Sequence, residues 1–325
     1  MIHWVFVKKK LSIIMPCLNE EKEPLETVSS IYNTASSDLF KIIVVDDASK
    51  SLPLDFSQFK DVRYVKNAER KGVDGSRQLG VKLADTPYIL ILDSHMRFKT
   101  DNWLEKIIDC LEREPETAWC TVCLALGFGD NDIGAATGRY YGANMLFVNK
   151  DARRDRPARE VLEPKWASKK NELEYEIPCI LGANYAFSKK WFDHIRGLKG
   201  LRGWGSSEPF LSMKTWMSGG KCKIRTDIEI GHKFRNNAPY VTKISSLVYN
   251  KIFMCKTIFP TELGDELLRY LPQDRNFREA MNAIDEDRKV IEEDRKYYSQ
   301  IFKKSIYEYC DRFRIAIPQV RKEIA

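Results

Sequence analysis

Short apolar segments alternate with amphipathic segments through the first third of the chain. Apolar runs occupy residues 11–15, 41–45 and 88–92, and runs of this length are typical of strands that are buried on both faces. Residues 23–35, between the first two runs, place apolar side chains three and four positions apart, which is helical spacing. A strand, a helix and a second strand in this order predict a βαβ unit with a right-handed crossover.

The same patterns predict further elements along the chain. Strands are expected at residues 62–65, 177–188 and 222–230, and helices at 74–84, 102–113, 191–195 and 208–218. Two segments, 127–144 and 150–170, are rich in glycine and in charge respectively, and we expect them to form an irregular insertion. From residue 261 onward strand signals are few, so we predict a catalytic domain over 1–260 and a helical extension over 261–325.

The amino-acid composition excludes several classes of protein. The chain has 325 residues, of which 43% are hydrophobic and 30% charged, with a net charge of +7. These values are typical of a globular domain and exclude collagen-like and low-complexity classes. The basic balance is compatible with partners that carry phosphate.

The N-terminal segment and the cysteines allow a prediction of the cellular compartment. Lys8, Lys9 and Lys10 interrupt the first apolar run, so the sequence predicts neither a membrane anchor nor a secretory signal. Eight cysteines are scattered along the chain, which favours a reducing compartment, and we expect a cytoplasmic protein. Cys120 and Cys123 form a CxxC pair, but the alternation around them predicts a strand, and no second pair lies near enough to complete a zinc site.

Candidate chemistry lies where strands end. Asp47 follows the second strand, Asp93 and His95 follow the strand at 88–92, and His232 with Arg235 follows the last predicted strand. Ligands of open parallel sheets bind outside the carboxyl ends of the strands, and two histidines with one aspartate are a suitable ligand set for a divalent cation. Alternatively, Asp93 caps a turn and His95 is an ordinary loop residue.

Several segments together resemble the GT-A glycosyltransferases, and within them the polypeptide N-acetylgalactosaminyltransferases. The resemblance covers roughly residues 10–242. The segments that carry it are Ser12-Ile13-Ile14-Met15-Pro16-Cys17-Leu18-Asn19-Glu20, Val44-Val45-Asp46-Asp47, Glu69-Arg70-Lys71-Gly72 through Arg77, Leu92-Asp93-Ser94-His95, Gly203-Trp204-Gly205, Trp216 through Gly220, and Gly231-His232-Lys233-Phe234-Arg235 with Pro239-Tyr240. The resemblance implies a Rossmann-like, mostly parallel α/β sheet with flanking helices, and a helical C-terminal appendage completes the expected fold.

The resemblance also implies the activity and the site. The expected reaction is metal-dependent transfer of a sugar from a nucleotide-diphosphate sugar, with UDP as the nucleotide, to an acceptor hydroxyl. The implied residues fall into three groups: Asp47 and Arg77 hold the nucleotide, Asp93, His95 and His232 bind Mn²⁺ or Mg²⁺, and Arg235 and Tyr240 face the diphosphate and a closing loop.

Two neighbouring positions depart from the family pattern. The family's glutamate and asparagine fall on Ser207 and Glu208. An acid at the Glu208 position is the catalytic base in inverting enzymes of the broader class, so we predict Glu208 and Asp93 as the catalytic residues. Alternatively, Glu208 stabilises the first turn of its helix. Retention and inversion of configuration both stay open.

The acceptor is inferred from charge. Residues 150–170 contain eight basic and four acidic side chains and Trp166, a combination that can hold a nucleic-acid backbone and stack on a base. We therefore expect a hydroxylated base in DNA as the acceptor. The alternatives are Ser or Thr of a protein, a saccharide, a solvated loop without function, and a nucleotide- or nucleic-acid-binding module without catalysis.

Overall fold

The computed structural model describes residues 9–51, 53–127, 129, 131–149, 159–235 and 239–319. Its strands are β1 (Leu11–Cys17), β2 (Phe40–Asp46), β3 (Val62–Lys66), β4 (Tyr88–Leu92), β5 (Met96–Phe98), β6 (Thr117–Gly127), β7 (Gly138–Tyr140), β8 (Ala143–Val148), β9 (Val161–Trp166), β10 (Glu174–Glu176), β11 (Asn184–Ser188) and β12 (Lys221–Phe234). Its α-helices are α1 (Glu23–Thr34), α2 (Gly72–Leu83), α3 (Trp103–Arg113), α4 (Lys189–His194), α5 (Ser207–Met217), α6 (Ile244–Ile258), α7 (Thr261–Leu268), α8 (Arg275–Glu286), α9 (Arg288–Ile301) and α10 (Ile306–Phe313).

One large mixed sheet organises the chain. Its strands run in the order β10-β12-β6-β11-β4-β1-β2-β3, with β5 paired to β12 and β7 paired to β6, while β8 and β9 form a separate hairpin. The pairs β1 with β2, β1 with β4, β2 with β3 and β6 with β12 are parallel, and β11 joins the two parallel groups in antiparallel orientation. The predicted α/β class with a mostly parallel sheet is confirmed.

Successive residues of the central strands build two apolar layers. Ile13 and Ile14 of β1 lie in different core clusters, because neighbouring side chains of a strand point to opposite faces. Helices α1 and α3 cover one face, and α2, α5 and α6 cover the other. This burial on both faces explains why the strands are continuous apolar runs in the sequence.

Helices α7 to α10 confirm the predicted helical character of the C-terminal extension as far as Phe313. Helix α6 begins before the predicted boundary at 260, however, and its side chains belong to the same core cluster as those of α8 and α9. Residues 248–255 of α6 are all buried, so this part of the helix has no solvent-exposed face, and its sequence lacks the amphipathic period that identifies surface helices.

Three predicted segments differ from the structure. The expected irregular insertion contains β7, β8 and β9, and only residues 184–188 of the expected strand at 177–188 are strand. The last strand extends through Phe234, so His232 lies within β12 and not beyond its end. Antiparallel pairing of His232 with Met96 of β5 prolongs the strand, and such pairing between distant segments leaves no local sequence signal. Among the described residues, no helix combines the length and the apolar character needed to cross a bilayer.

Candidate active site

A cavity of about 540 Å³ lies at the carboxyl ends of the parallel strands. The cavity is lined by the end of β1, by Asp47 after β2 and Asp93 after β4, and by the segments 201–204 and 240–243. This is the position that open α/β sheets use for ligands.

Asp93, His95 and His232 converge beside this cavity. One ligand atom from each lies within 4.8 Å of the others. His95 Nε2 and His232 Nε2 are 3.1 Å apart, and His232 Nε2 is 3.6 Å from Asp93 Oδ2. Asp93 and His95 flank the turn between β4 and β5, and the pairing of β5 with β12 brings His232 opposite them. The structure therefore places together all three residues that the sequence indicated as metal ligands.

The spacing and protonation of these groups fit a divalent cation. Two nitrogens that each lie about 2.1 Å from one ion, at a right angle, are about 3 Å apart. Burial, together with the neighbouring His232, lowers the pKa of His95 to about 3, so its imidazole is neutral. Burial opposes ionisation of Asp93, but the contacts with His232 and Arg77 outweigh it and hold the pKa of that carboxyl well below its usual range. Ligands must be deprotonated to bind a metal, and the Asp93 carboxyl and the His95 imidazole are in that state.

Arg77 of α2 orients Asp93 from the other side. Its Nη2 donates to Asp93 Oδ1 at 2.8 Å, and its Nη1 lies near Ser207 Oγ at 3.3 Å and Asp74 Oδ1 at 3.5 Å. The side chain lines the cavity and is almost completely buried. Arg77 thus fixes one oxygen of Asp93 while the other oxygen faces His232.

Asp47 has a different environment. Its carboxylate accepts from Lys71 N at 2.7 Å and Gly72 N at 2.9 Å, and from Asn67 Nδ2 and Ser76 Oγ at 3.0 and 3.1 Å. These five residues, which we call the Asp47 cluster, hold the first turn of α2 against the end of β2. Asp47 lines the cavity, and its contact with a nucleotide stays a prediction. The structure also gives it this role at the helix start, which the sequence did not indicate.

Arg235 and Tyr240 follow the last strand. Tyr240 lines the cavity. Arg235 points to Glu20 after β1, where its Nη1 and Nη2 both donate to the Glu20 carboxylate. The sequence suggested a contact between Arg235 and a diphosphate, whereas in the structure its two terminal nitrogens bind a carboxylate. Glu20 lies in a matched segment, but no local pattern indicated that it would pair with a residue more than 200 positions away.

Glu208 lies in the first turn of α5 and is half-buried. Its Oε1 is 4.0 Å from Arg77 Nη1. Burial raises the pKa of Glu208, although Arg77 acts in the opposite direction. A carboxyl group with a raised pKa is a better proton acceptor once ionised. The position in the first helical turn is equally what a stabilising acid would occupy, so the geometry accommodates both interpretations.

The loop at 201–205 depends on α6. Asn250, fully buried, accepts from Arg202 N at 2.7 Å and donates to Arg202 O and Gly205 O at 2.9 and 2.8 Å. On its other side the loop touches α2, where a Cβ added to Gly72 would lie 2.3 Å from Gly203 Cα. The cavity wall is therefore fixed from two sides, one of them a C-terminal helix that the sequence did not assign to the site.

The basic segment at 150–170 is described from residue 159 onward, so Arg153, Arg154 and Arg156 lie outside the described residues. In the part that is described, Arg159 pairs with Glu163 at 2.6 Å. The ring of Trp166 stacks on Tyr140 with centroids 4.4 Å apart. The indole that was expected to stack on a base thus already has an aromatic neighbour.

A family model described as "Glycosyl transferase family 2" matches residues 12–196. Among curated proteins, human polypeptide N-acetylgalactosaminyltransferase 10 is 26% identical over 286 residues, which cover 84% of this chain and 46% of that protein. Polypeptide N-acetylgalactosaminyltransferase 4 of Caenorhabditis elegans is 25% identical over 241 residues, covering 70% and 39%. The chain thus spans less than half the length of these relatives.

Solved structures show the same fold. GalNAc-T7 in complex with UDP, GalNAc and Mn²⁺ superposes with a TM-score of 0.69 at 16% identity, covering 93% of this chain and 56% of that one. Staphylococcus aureus TarS 1-349 with UDP-GlcNAc gives a TM-score of 0.51 at 14% identity, covering 80% and 70%. The resemblance drawn from the sequence motifs is confirmed by these comparisons.

Proposed function

Because this chain belongs to glycosyl transferase family 2, we propose that it transfers a sugar from a nucleotide-diphosphate sugar to an acceptor hydroxyl with the help of a divalent cation. The observation that carries the proposal is the convergence of Asp93, His95 and His232 beside a cavity at the carboxyl ends of the parallel strands. GalNAc-T7, which shares the fold, was solved with UDP and Mn²⁺, and this supports a UDP-sugar as donor and Mn²⁺, or Mg²⁺ in its place, as the cation.

The residues of the cavity have separate roles in this proposal. Asp93, His95 and His232 would hold the cation, which would supply Lewis-acid stabilisation of the diphosphate leaving group. Arg77 keeps Asp93 ionised and correctly oriented, and its charge adds to the positive potential around the diphosphate. Asp47 and Tyr240, which both line the cavity, position the nucleotide. Most of the catalytic effect then comes from positioning and charge.

We assign Glu208 as the general base that accepts the proton of the acceptor hydroxyl. Two observations support this assignment. The pKa of Glu208 is raised by burial, and its carboxylate lies beside Arg77, which also contacts Asp93. A base acting directly on the acceptor is the arrangement of inverting transfer, so this assignment predicts inversion at the sugar. If Glu208 only stabilises the start of α5, its replacement by Gln leaves the turnover number almost unchanged.

For the acceptor we favour a Ser or Thr hydroxyl of a protein, because the relatives named above are polypeptide transferases. The expectation of a hydroxylated DNA base finds no support in the comparisons. A DNA acceptor remains the second candidate because the chain is basic, with a net charge of +7 and a basic segment at 150–170.

We also propose a cytoplasmic location. All eight cysteines are free and buried, which is compatible with a reducing compartment.

A panel assay tests donor and acceptor together. The protein is incubated with UDP-GalNAc, UDP-GlcNAc, UDP-glucose and other nucleotide sugars, with or without MnCl₂, and UDP release is measured with Ser/Thr peptides, with duplex DNA that contains 5-hydroxymethylcytosine, or with neither. We expect Mn²⁺-dependent release that a peptide stimulates. Stimulation by the modified DNA alone would replace the protein acceptor by DNA. Absence of nucleotide release from every donor would overturn the proposed function.

A further inference from the structure

Two further charged side chains, Glu20 and Arg235, lie beside the candidate metal ligands, and Glu20 also lines the cavity. Glu20, which follows β1, is buried, and its Oε1 lies 3.7 Å from His95 Nδ1. Arg235, at the end of β12, donates to both oxygens of the same carboxylate. The three side chains form a row from Arg235 through Glu20 to His95, and the far side of the His95 ring faces His232.

The ring nitrogens of His95 explain what this row can do. In the structure His95 Nε2 and His232 Nε2 face each other at 3.1 Å, a contact that needs one proton between the two nitrogens. His95 Nδ1 is buried and has no hydrogen-bond partner among the described residues. When Nε2 binds a cation it must give up its proton, so a neutral imidazole carries its hydrogen on Nδ1. That hydrogen then points toward Glu20 Oε1.

We propose that Glu20 is a positioning residue for His95, and that Arg235 acts on the cation site by fixing the Glu20 carboxylate. The inference rests on the proposed cation-dependent function. A carboxylate that accepts the second N–H of a metal-bound histidine fixes the tautomer and the ring orientation. The distance of 3.7 Å is longer than a hydrogen bond, and such contacts often shorten when the ligand binds.

This role differs from the one that the sequence suggested for Arg235. A guanidinium that contacts only the diphosphate would affect binding of the nucleotide sugar and not binding of the cation alone. An arginine that holds Glu20 affects cation binding even without nucleotide. The two roles can therefore be separated in the nucleotide-free protein.

The test is a titration of the nucleotide-free protein with Mn²⁺ alone, with free Mn²⁺ measured by electron paramagnetic resonance. Glu20→Asp keeps the charge but shortens the side chain by one methylene, so its carboxylate no longer reaches Nδ1. We expect the dissociation constant to rise about 10- to 100-fold, the usual effect of losing such a partner. Glu20→Gln should weaken binding at least as much, and Glu21→Gln at the exposed neighbouring position should not.

A second variant separates the roles of Arg235. Arg235→Lys keeps the charge but loses the two-pronged contact, and we expect weaker Mn²⁺ binding, by about threefold to tenfold. If the variant raises KM for the nucleotide sugar while Mn²⁺ affinity stays at the wild-type value, Arg235 is a phosphate ligand and this part of the inference is wrong. Arg278→Lys on the exposed face of α8 is the matched control. If Glu20→Asp does not fold, Arg235→Lys still shows whether the contact between Arg235 and Glu20 affects Mn²⁺ binding.

The experiment distinguishes failure of the Glu20 inference from failure of the proposed function. If the wild-type protein binds Mn²⁺ and both Glu20 variants bind it equally well, the positioning role of Glu20 is wrong and the proposed function stands. If the wild-type protein binds no Mn²⁺ in the presence or absence of UDP, the proposed function fails and the inference fails with it. Circular dichroism and the midpoint of thermal unfolding show in each case whether the variant is folded.

Discussion

The Asp47 cluster and the candidate metal site lie at the same edge of the sheet, but their polar atoms are satisfied to different degrees. Asp47 accepts four hydrogen bonds from its own chain. His95 and His232 each have a buried Nδ1 without a hydrogen-bond partner among the described residues, and their Nε2 atoms face each other. The first group holds the backbone in place, and the second keeps ligand atoms available.

This difference explains how one edge of a sheet can be both rigid and reactive. Unsatisfied buried polar atoms cost stability, so they persist where the surrounding structure holds them in place. The Asp47 cluster and Asn250 provide that support for segments that line the cavity, and Arg77 with Glu20 provides it around the ligands. Breaking the candidate metal site should therefore abolish Mn²⁺ binding and leave the fold intact, whereas breaking the Asp47 cluster should lower stability and leave the binding of Mn²⁺ alone nearly unchanged.

The largest effect is expected at the candidate metal site. Asp93→Ala removes one ligand, and turnover should fall about a thousandfold or more, since a lost cation contact is worth several kcal/mol in the transition state. The fold should survive because Asp93 follows a strand end and Arg77 keeps its contact with Asp74. Mn²⁺-dependent UDP release and the circular dichroism spectrum measure the two outcomes. Wild-type turnover in this variant would show that Asp93 does not serve the reaction.

Glu208→Gln tests the proposed base. If Glu208 accepts the acceptor proton, kcat should fall at least about 100-fold while Mn²⁺ affinity stays the same. Glu262→Gln, in the first turn of the distant helix α7, is the matched control for an acid that only stabilises a helix start. Equal, small effects of both variants on kcat would favour the helix-stabilising interpretation of Glu208.

Disruption of the Asp47 cluster should lower the stability of the fold. Asp47→Ala leaves two backbone N–H groups and two side chains without their acceptor, and the free energy of unfolding should fall by about 2–4 kcal/mol. Binding of Mn²⁺ alone should change little, because no candidate ligand contacts Asp47. Urea unfolding measures the first quantity, with the exposed Asp55→Ala as control. A stability equal to wild type would mean that these hydrogen bonds do not hold the first turn of α2.

A smaller effect concerns pH. Burial raises the pKa of Asp74 to about 7, despite the nearby Arg77 and Ser207, whereas an unfolded Asp titrates near 3.9. The folded state therefore keeps a proton that the unfolded state releases, and the free energy of unfolding falls as pH rises between about 4 and 7, by at most about 1.4 kcal/mol per unit. Asp74→Asn should flatten this slope, and the exposed Asp101→Asn should not. An unchanged slope would contradict the raised pKa.

The sequence predicted those parts of the site that local patterns determine. The Asp46-Asp47 pair and Asp93 follow apolar runs directly, so their place at the carboxyl ends of parallel strands followed from the pattern. The pairing of Glu20 with Arg235, the support of the 201–205 loop by Asn250 and the burial of α6 were not predicted. Each joins segments distant in the sequence, and hydrophobic periodicity describes only neighbours along the chain.

The central claim is that Asp93, His95 and His232 hold one divalent cation at the donor site. Diffraction from crystals grown with MnCl₂ and UDP, recorded at the manganese absorption edge, tests it most directly. The account predicts one anomalous peak within about 2.5 Å of an Asp93 carboxylate oxygen and of the Nε2 atoms of His95 and His232. A well-ordered site without such a peak, or a peak that these three residues do not contact, would contradict it.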